Sequence, residues 1–131
     1  TLANIMASHV LSGSLKSTDV VRSGVDYMLR FAAWYRAQTR PVGFLQVGGG
    51  IAGDFPICTV PMLRQDLGED VPHWSWFAQI SESSPSFGGY SGAPPNEKIT
   101  WGKLLPETPR FVIESDASLV LPLLLGYVLD A

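Results

Sequence analysis

The chain has 131 residues, enough for one modest domain, and 46% of them are hydrophobic, which excludes a disordered tail. Its net charge is −3 and its Lys and Arg residues are scattered, so it lacks the basic stripe a nucleic-acid surface needs. With one Cys (Cys58) and two His (His9, His73) there is no internal disulfide and no metal-ligand spacing, and a reducing, cytoplasmic setting is expected.

In chain order, a short helix is expected at Leu2 to Leu11. Ser17, Thr18 and Asp19 then offer cap oxygens to a helix whose apolar stripe is Val21, Val25, Met28, Ala32 and Tyr35. Asp26 and Arg30, four apart, are placed to pair on its wet side. Arg40-Pro41 bars its continuation. Val42 to Val47 reads as a buried strand ending in Gly48-Gly49-Gly50. Ile57 to Leu67 reads as a helix with Pro61 in its first turn or at a kink. Trp74 to Ile80 is a second strand, and Ser81 to Pro95, dense in Ser, Gly and Pro, is a long loop of the kind that carries function. A short helix over Glu97 to Leu104, a third strand at Arg110 to Ile113 and a final helix capped by Asp116 complete the chain. The apolar run Ala117 to Leu129 is too short to span a bilayer, so the expectation is a helix buried on several sides.

This alternation predicts an α/β fold with a parallel sheet, and residues 1–131 are read as a single domain. Three strands are few for a doubly wound sheet. Together with a first residue that is Thr and not Met, this raises the expectation of missing N-terminal strands, a partner chain, or both.

Gly48, Gly50 and Gly53 satisfy G-x-G-x-x-G, the glycine pattern that brings backbone close to a pyrophosphate, and Asp70 lies at the spacing for a ribose hydroxyl. A tight turn at a strand end accounts for the same glycines.

Four segments taken together carry more information: Val47-Gly-Gly-Gly50; Ser91-Gly-Ala93 leading to Asn96-Glu97; Thr100-Trp-Gly-Lys103; and Ser115-Asp-Ala-Ser-Leu-Val120 before Pro122. In order and spacing, from about Val42 onward, they resemble deoxyhypusine synthase, and the details resemble the bacterial deoxyhypusine synthase-like branch. The resemblance implies a Rossmann-like, NAD-binding parallel-sheet fold, of which this chain would be the C-terminal portion. It also implies NAD-dependent aminobutyl transfer from a polyamine such as spermidine, through an imine on a lysine, to an acceptor amine. That lysine matches Lys103. A lone Lys is ordinarily a solvated charge, and only the flanking motif singles this one out. Trp101 would wall the amine and hold a cation against its ring. Glu97 would face the substrate, or simply start its helix, and the hydroxyl of Tyr90 would accept from an amine. Gly48, Glu82, Ser83, Gly88, Ser91, Ser115 and Asp116 match positions on the cofactor side, with Asp116 near the adenosine ribose. A homotetramer with interfacial active sites is implied as well.

The chain departs from the family pattern in two places. Ile51-Ala-Gly-Asp-Phe-Pro56 stands where the family has a His-His pair, which leaves Asp54 as the substitute proton carrier. Phe87-Gly-Gly-Tyr-Ser-Gly92 stands where the family has two further carboxylates. These changes point to homospermidine formation from small diamines as an alternative to modification of a protein lysine. A truncated or non-catalytic subunit is the reading from a different class.

Overall fold

The computed structural model describes every residue except Phe87, Tyr90 and Ala131, and of Ile51 and Ala52 the backbone alone. Three parallel strands, β1 (Phe44–Val47), β2 (Phe77–Ser81) and β3 (Arg110–Glu114), form a sheet in the order β1-β2-β3. The register pairs Phe44 with Phe77, Gln46 with Gln79, and Ile80 with both Val47 and Ile113. Since side chains alternate along a strand, Phe44, Gln46, Phe77 and Gln79 share one face of the sheet, whereas Leu45, Val47, Ala78 and Ile80 share the other.

The first face carries the core. Phe44 and Phe77 pack with Ala32 and Tyr35 of helix α2 (Gly24–Arg36), Ile57 of α3 (Gly50–Ile57), Val60 of α4 (Thr59–Pro61) and the buried Leu63, Trp74 and Leu104. Trp74 is the hub, with its ring 4.8 Å from Tyr35 and 5.0 Å from Phe44 in edge-on contacts. Burial of so large an aromatic makes its truncation to Ala cost about 3–5 kcal/mol.

Helix α2 starts later than the sequence reading places it. Ser23, not the Ser17 to Asp19 group, is the cap, in a capping box with Asp26. Asp26 accepts from the Ser23 backbone N–H and hydroxyl, at 3.0 and 2.8 Å, so its carboxylate serves the helix terminus and not Arg30. The reason is local geometry: a carboxylate three residues after the cap reaches the free N–H groups directly.

The helix expected over Ile57 to Leu67 is part of a longer helical run. It begins at Gly50, so Gly50 and Gly53 lie inside α3 and do not form a loop ahead of a helix. Pro61 ends α4 and a π-helical turn follows over Met62–Asp66. Proline cannot donate to the carbonyl four residues back. Here that carbonyl is on Ile57, and the buried Trp74 indole Nε1–H donates to it at 3.1 Å. One core residue thus satisfies the bond that the proline removes.

Helices α1 (Leu2–Leu11) and α5 (Pro95–Thr100) complete the set with α6 (Ala117–Leu129), which packs against β2. The expected burial of α6 is not found within this chain. Leu119, Leu123, Tyr127 and Leu129 are all exposed, as is Phe111 on the edge strand β3. The apolar surface is real, but nothing within the described residues covers it. Among the described residues no helix is long and apolar enough to cross a membrane.

Candidate functional site

Two clefts bear on the expected site residues. The larger, about 720 Å³, lies between the α3–α4 run and α5, and includes Asp54, Cys58, Met62, Glu97, Lys98, Trp101 and Lys103 in its walls. The smaller, about 440 Å³, lies beyond the C-terminal ends of the strands and is lined by Val47, Gly48, Ile80 to Ser83 and Ser115 to Ala117.

The Trp-Gly-Lys element forms the end of α5. Gly102 adopts φ +67°, Lys103 N–H donates to the Lys98 carbonyl at 2.9 Å, and Gly102 N–H donates to the Ile99 carbonyl at 2.9 Å. This is a Schellman cap, which requires a residue free to take positive φ at its turning point. The glycine therefore terminates the helix and swings Lys103 back over Lys98. Both lysines are largely buried, at 9% and 5% exposure.

Lys103 Nζ stands 3.6 Å from Asp54 Oδ1. Asp54 comes from the middle of α3 and Lys103 from just beyond α5, so the pair joins residues 49 positions apart in sequence, from 54 to 103. Lys98 Nζ lies 3.3 Å from the Ala93 carbonyl, to which it donates, and 4.8 Å from the centroid of the Phe77 ring. Burial holds its pKa below the ordinary lysine value; Lys103 adds to this effect, while Asp54 and Glu97 oppose it. Sequence reading missed Lys98. The signal was available in Gly102, because a Schellman glycine fixes which earlier residue meets the one after it.

Glu97 Oε1 accepts from the Gly88 N–H at 2.8 Å, tying the long loop to the first turn of α5. Gly88 accordingly stands at the larger cleft and not with the cofactor-side group at the strand ends. Trp101 also lines the larger cleft, but at 67% exposure it forms a rim and not the buried wall envisaged for it. Tyr90, expected to accept from an amine, lies outside the described residues.

Of the residues assigned to the cofactor side, Gly48, Glu82, Ser83, Ser115 and Asp116 meet in the smaller cleft. Gly48 has φ +107° and its N–H continues the ladder to the Ile80 carbonyl at 2.8 Å. Asp116 caps α6, accepting from Ser118 N–H at 2.7 Å, and that hydrogen bond holds its carboxyl below the usual range. Ser91 lines neither cleft; its hydroxyl accepts from Gly50 N–H at 3.3 Å. Gln79 Nε2 reaches both the Gly48 and Ser91 carbonyls, at 3.1 and 3.3 Å, and locks the loop onto the turn. Asp70, considered for a ribose contact, is instead on the surface beside Arg64 at 3.3 Å.

Fold and site define a parallel α/β protein with a hollow at the carboxyl ends of its strands and a buried lysine–carboxylate cleft beside it. The sequence model of the deoxyhypusine synthase family matches residues 16–128, and the chain belongs to that family. It is 38% identical over 88 residues to a deoxyhypusine synthase-like protein of Cyanothece sp. (strain PCC 7425 / ATCC 29141), covering 66% of this chain and 22% of the relative. With the deoxyhypusine synthase-like protein of Thermosynechococcus vestitus it shares 33% over 110 residues, 82% of this chain and 27% of that one. A probable deoxyhypusine synthase 1 of Archaeoglobus fulgidus is 32% identical over 93 residues, 71% of this chain and 28% of the relative. The chain thus spans about a quarter of the length of the curated relatives it matches.

Proposed function

We propose that residues 1–131 form the C-terminal, lysine-bearing part of an NAD-dependent aminobutyl transferase that acts on polyamines and works as a homo-oligomer, the cytoplasmic tetramer the resemblance implies.

 The observation that supports this reading is the buried Lys103–Asp54 pair, 3.6 Å apart, inside the larger cleft.

A dinucleotide fits what the smaller cleft offers. Ligands of parallel α/β sheets sit outside the carboxyl ends of the strands, and the residues there are a positive-φ glycine, serine hydroxyls and a carboxylate placed to accept from a ribose. Gly48, Glu82, Ser83, Ser115 and Asp116 would hold the cofactor, with Ser91 bracing the turn. NAD, when bound, supplies the hydride acceptor and donor.

The larger cleft does the amine work. Lys103, buried and turned inward by the Schellman cap, is the nucleophile that carries the aminobutyl group. Asp54 orients it and takes or returns a proton at Nζ, the task left open by the missing His pair. Glu97 shapes the entrance through Gly88 and adds negative charge for a cationic substrate, with Trp101 as an aromatic rim. The uncovered apolar face of α6 suits an oligomer or the remainder of the sheet.

The full-length protein, incubated with NAD, spermidine and borohydride, should gain the mass of one aminobutyl group, mapped to Lys103. A folded, NAD-binding sample that gains none, or a Lys103→Ala variant that still does, refutes the assignment.

A further inference from the structure

A second lysine in the amine cleft has no part in the mechanism above. Lys98 is 5% exposed, with Nζ fixed between the Ala93 carbonyl at 3.3 Å and the Phe77 ring at 4.8 Å. Lys98, Lys103 and Asp54 all line this cleft, with Asp54 3.6 Å from Lys103 Nζ, so two amines share the neighbourhood of one carboxylate. The other carboxylates of the cleft are Glu97, already engaged with Gly88 N–H, and Asp66. A fixed ammonium in the floor offsets carboxylate charge in a partly dehydrated space, where like charges repel far more strongly than in water.

Resting on the amine-transfer reading, we propose that Lys98 is a specificity-determining residue that limits the charge the cleft accepts, favouring a diamine over a triamine. A short diamine places one ammonium at the rim, near Trp101 and Glu97, and its reacting amine at Lys103. A triamine brings an additional cation toward Lys98. Discrimination arises from this repulsive contact rather than from a stronger attraction to the diamine.

The test is calorimetric binding of 1,4-diaminobutane and spermidine to the full-length protein with NAD present, alongside borohydride trapping. Wild type should bind the diamine at least as tightly as the triamine. Lys98→Gln keeps a donor for the Ala93 carbonyl but removes the charge, and should shift the affinity ratio about tenfold toward spermidine. Lys98→Arg keeps the charge and should retain the wild-type preference. A wild type that prefers spermidine, an unchanged ratio in Lys98→Gln, or an equal shift in Lys98→Arg overturns the proposal. A wild type that prefers spermidine overturns the proposal even if neither variant folds. Amine binding with the expected preference but no trapped adduct defeats the transfer reading alone, and binding of neither amine defeats both.

Discussion

Asp54 Oδ1 faces Lys103 Nζ across 3.6 Å, with the carboxylate on α3 and the amine just beyond α5. The contact is long for an ion pair and its two side chains are mostly, not wholly, buried, which leaves the amine oriented but able to release its partner. Replacing Asp54 with Asn keeps shape and removes charge. Aminobutyl trapping should slow about 10²-fold in Asp54→Asn, the range general acid–base groups contribute, while NAD binding is retained. Stopped-quench mass spectrometry of the adduct checks this, and an unaltered rate would remove Asp54 from the proton path.

Gly102 is the turning point that delivers Lys103. Its φ of +67° strains any side chain, and an added Cβ would also run into the Gln65 amide. Gly102→Ala should lower stability by about 1–2 kcal/mol and reduce trapping more than NAD binding, because Lys103 moves off the Asp54 carboxylate. Thermal melts and cofactor titration separate the two effects.

Glu97 has two separable duties. Its Oε1 accepts from Gly88 N–H at 2.8 Å, a bond to a charged acceptor worth about 1.5–3 kcal/mol. Glu97→Gln keeps an acceptor and should raise the polyamine KM with little change in amide exchange at Gly88. Glu97→Ala should raise both. Equal KM values for Gln and wild type would confine Glu97 to holding the loop.

Gly53 presses against the buried Gln46 side chain, and a Cβ there would overlap Gln46 Oε1. Gln46 cannot yield easily, since its Nε2 donates to the Gly48 and Gly49 carbonyls at 3.2 and 2.9 Å. Gly53→Ala should therefore destabilise the protein by about 1–3 kcal/mol, read from denaturant midpoints, and weaken NAD binding through the displaced turn.

Tyr35 provides a pH signature of the core. Its hydroxyl donates to the Pro72 carbonyl at 2.9 Å, and burial pushes its pKa up to about 12. The unfolded phenol titrates near pH 10. The folded state thus keeps its proton where the unfolded state loses it, so this contribution to stability is full below about pH 10 and is lost as pH rises toward 12. Tyr35→Phe should flatten that limb in urea melts, and an unchanged alkaline limb would place the titration elsewhere.

The sequence by itself determined the element order, the parallel α/β class and the Asp116 cap, because each follows from short-range chemistry: alternation in strands, proline exclusion, cap oxygens beside free N–H groups. Its motifs also marked the lysine that matters to the proposed reaction. It placed the start of α2 too early, since several serines can cap a helix and only the backbone path selects Ser23. It missed that Gly50 and Gly53 of the glycine fingerprint lie within α3, where Gly53 makes room for Gln46 and not for a phosphate. What tertiary structure alone decided is which distant groups meet: Asp54 with Lys103, Lys98 with Phe77, Trp74 with the carbonyl freed by Pro61. Those contacts depend on how helices pack across a sheet, and neither local propensity nor spacing along the chain encodes that distance.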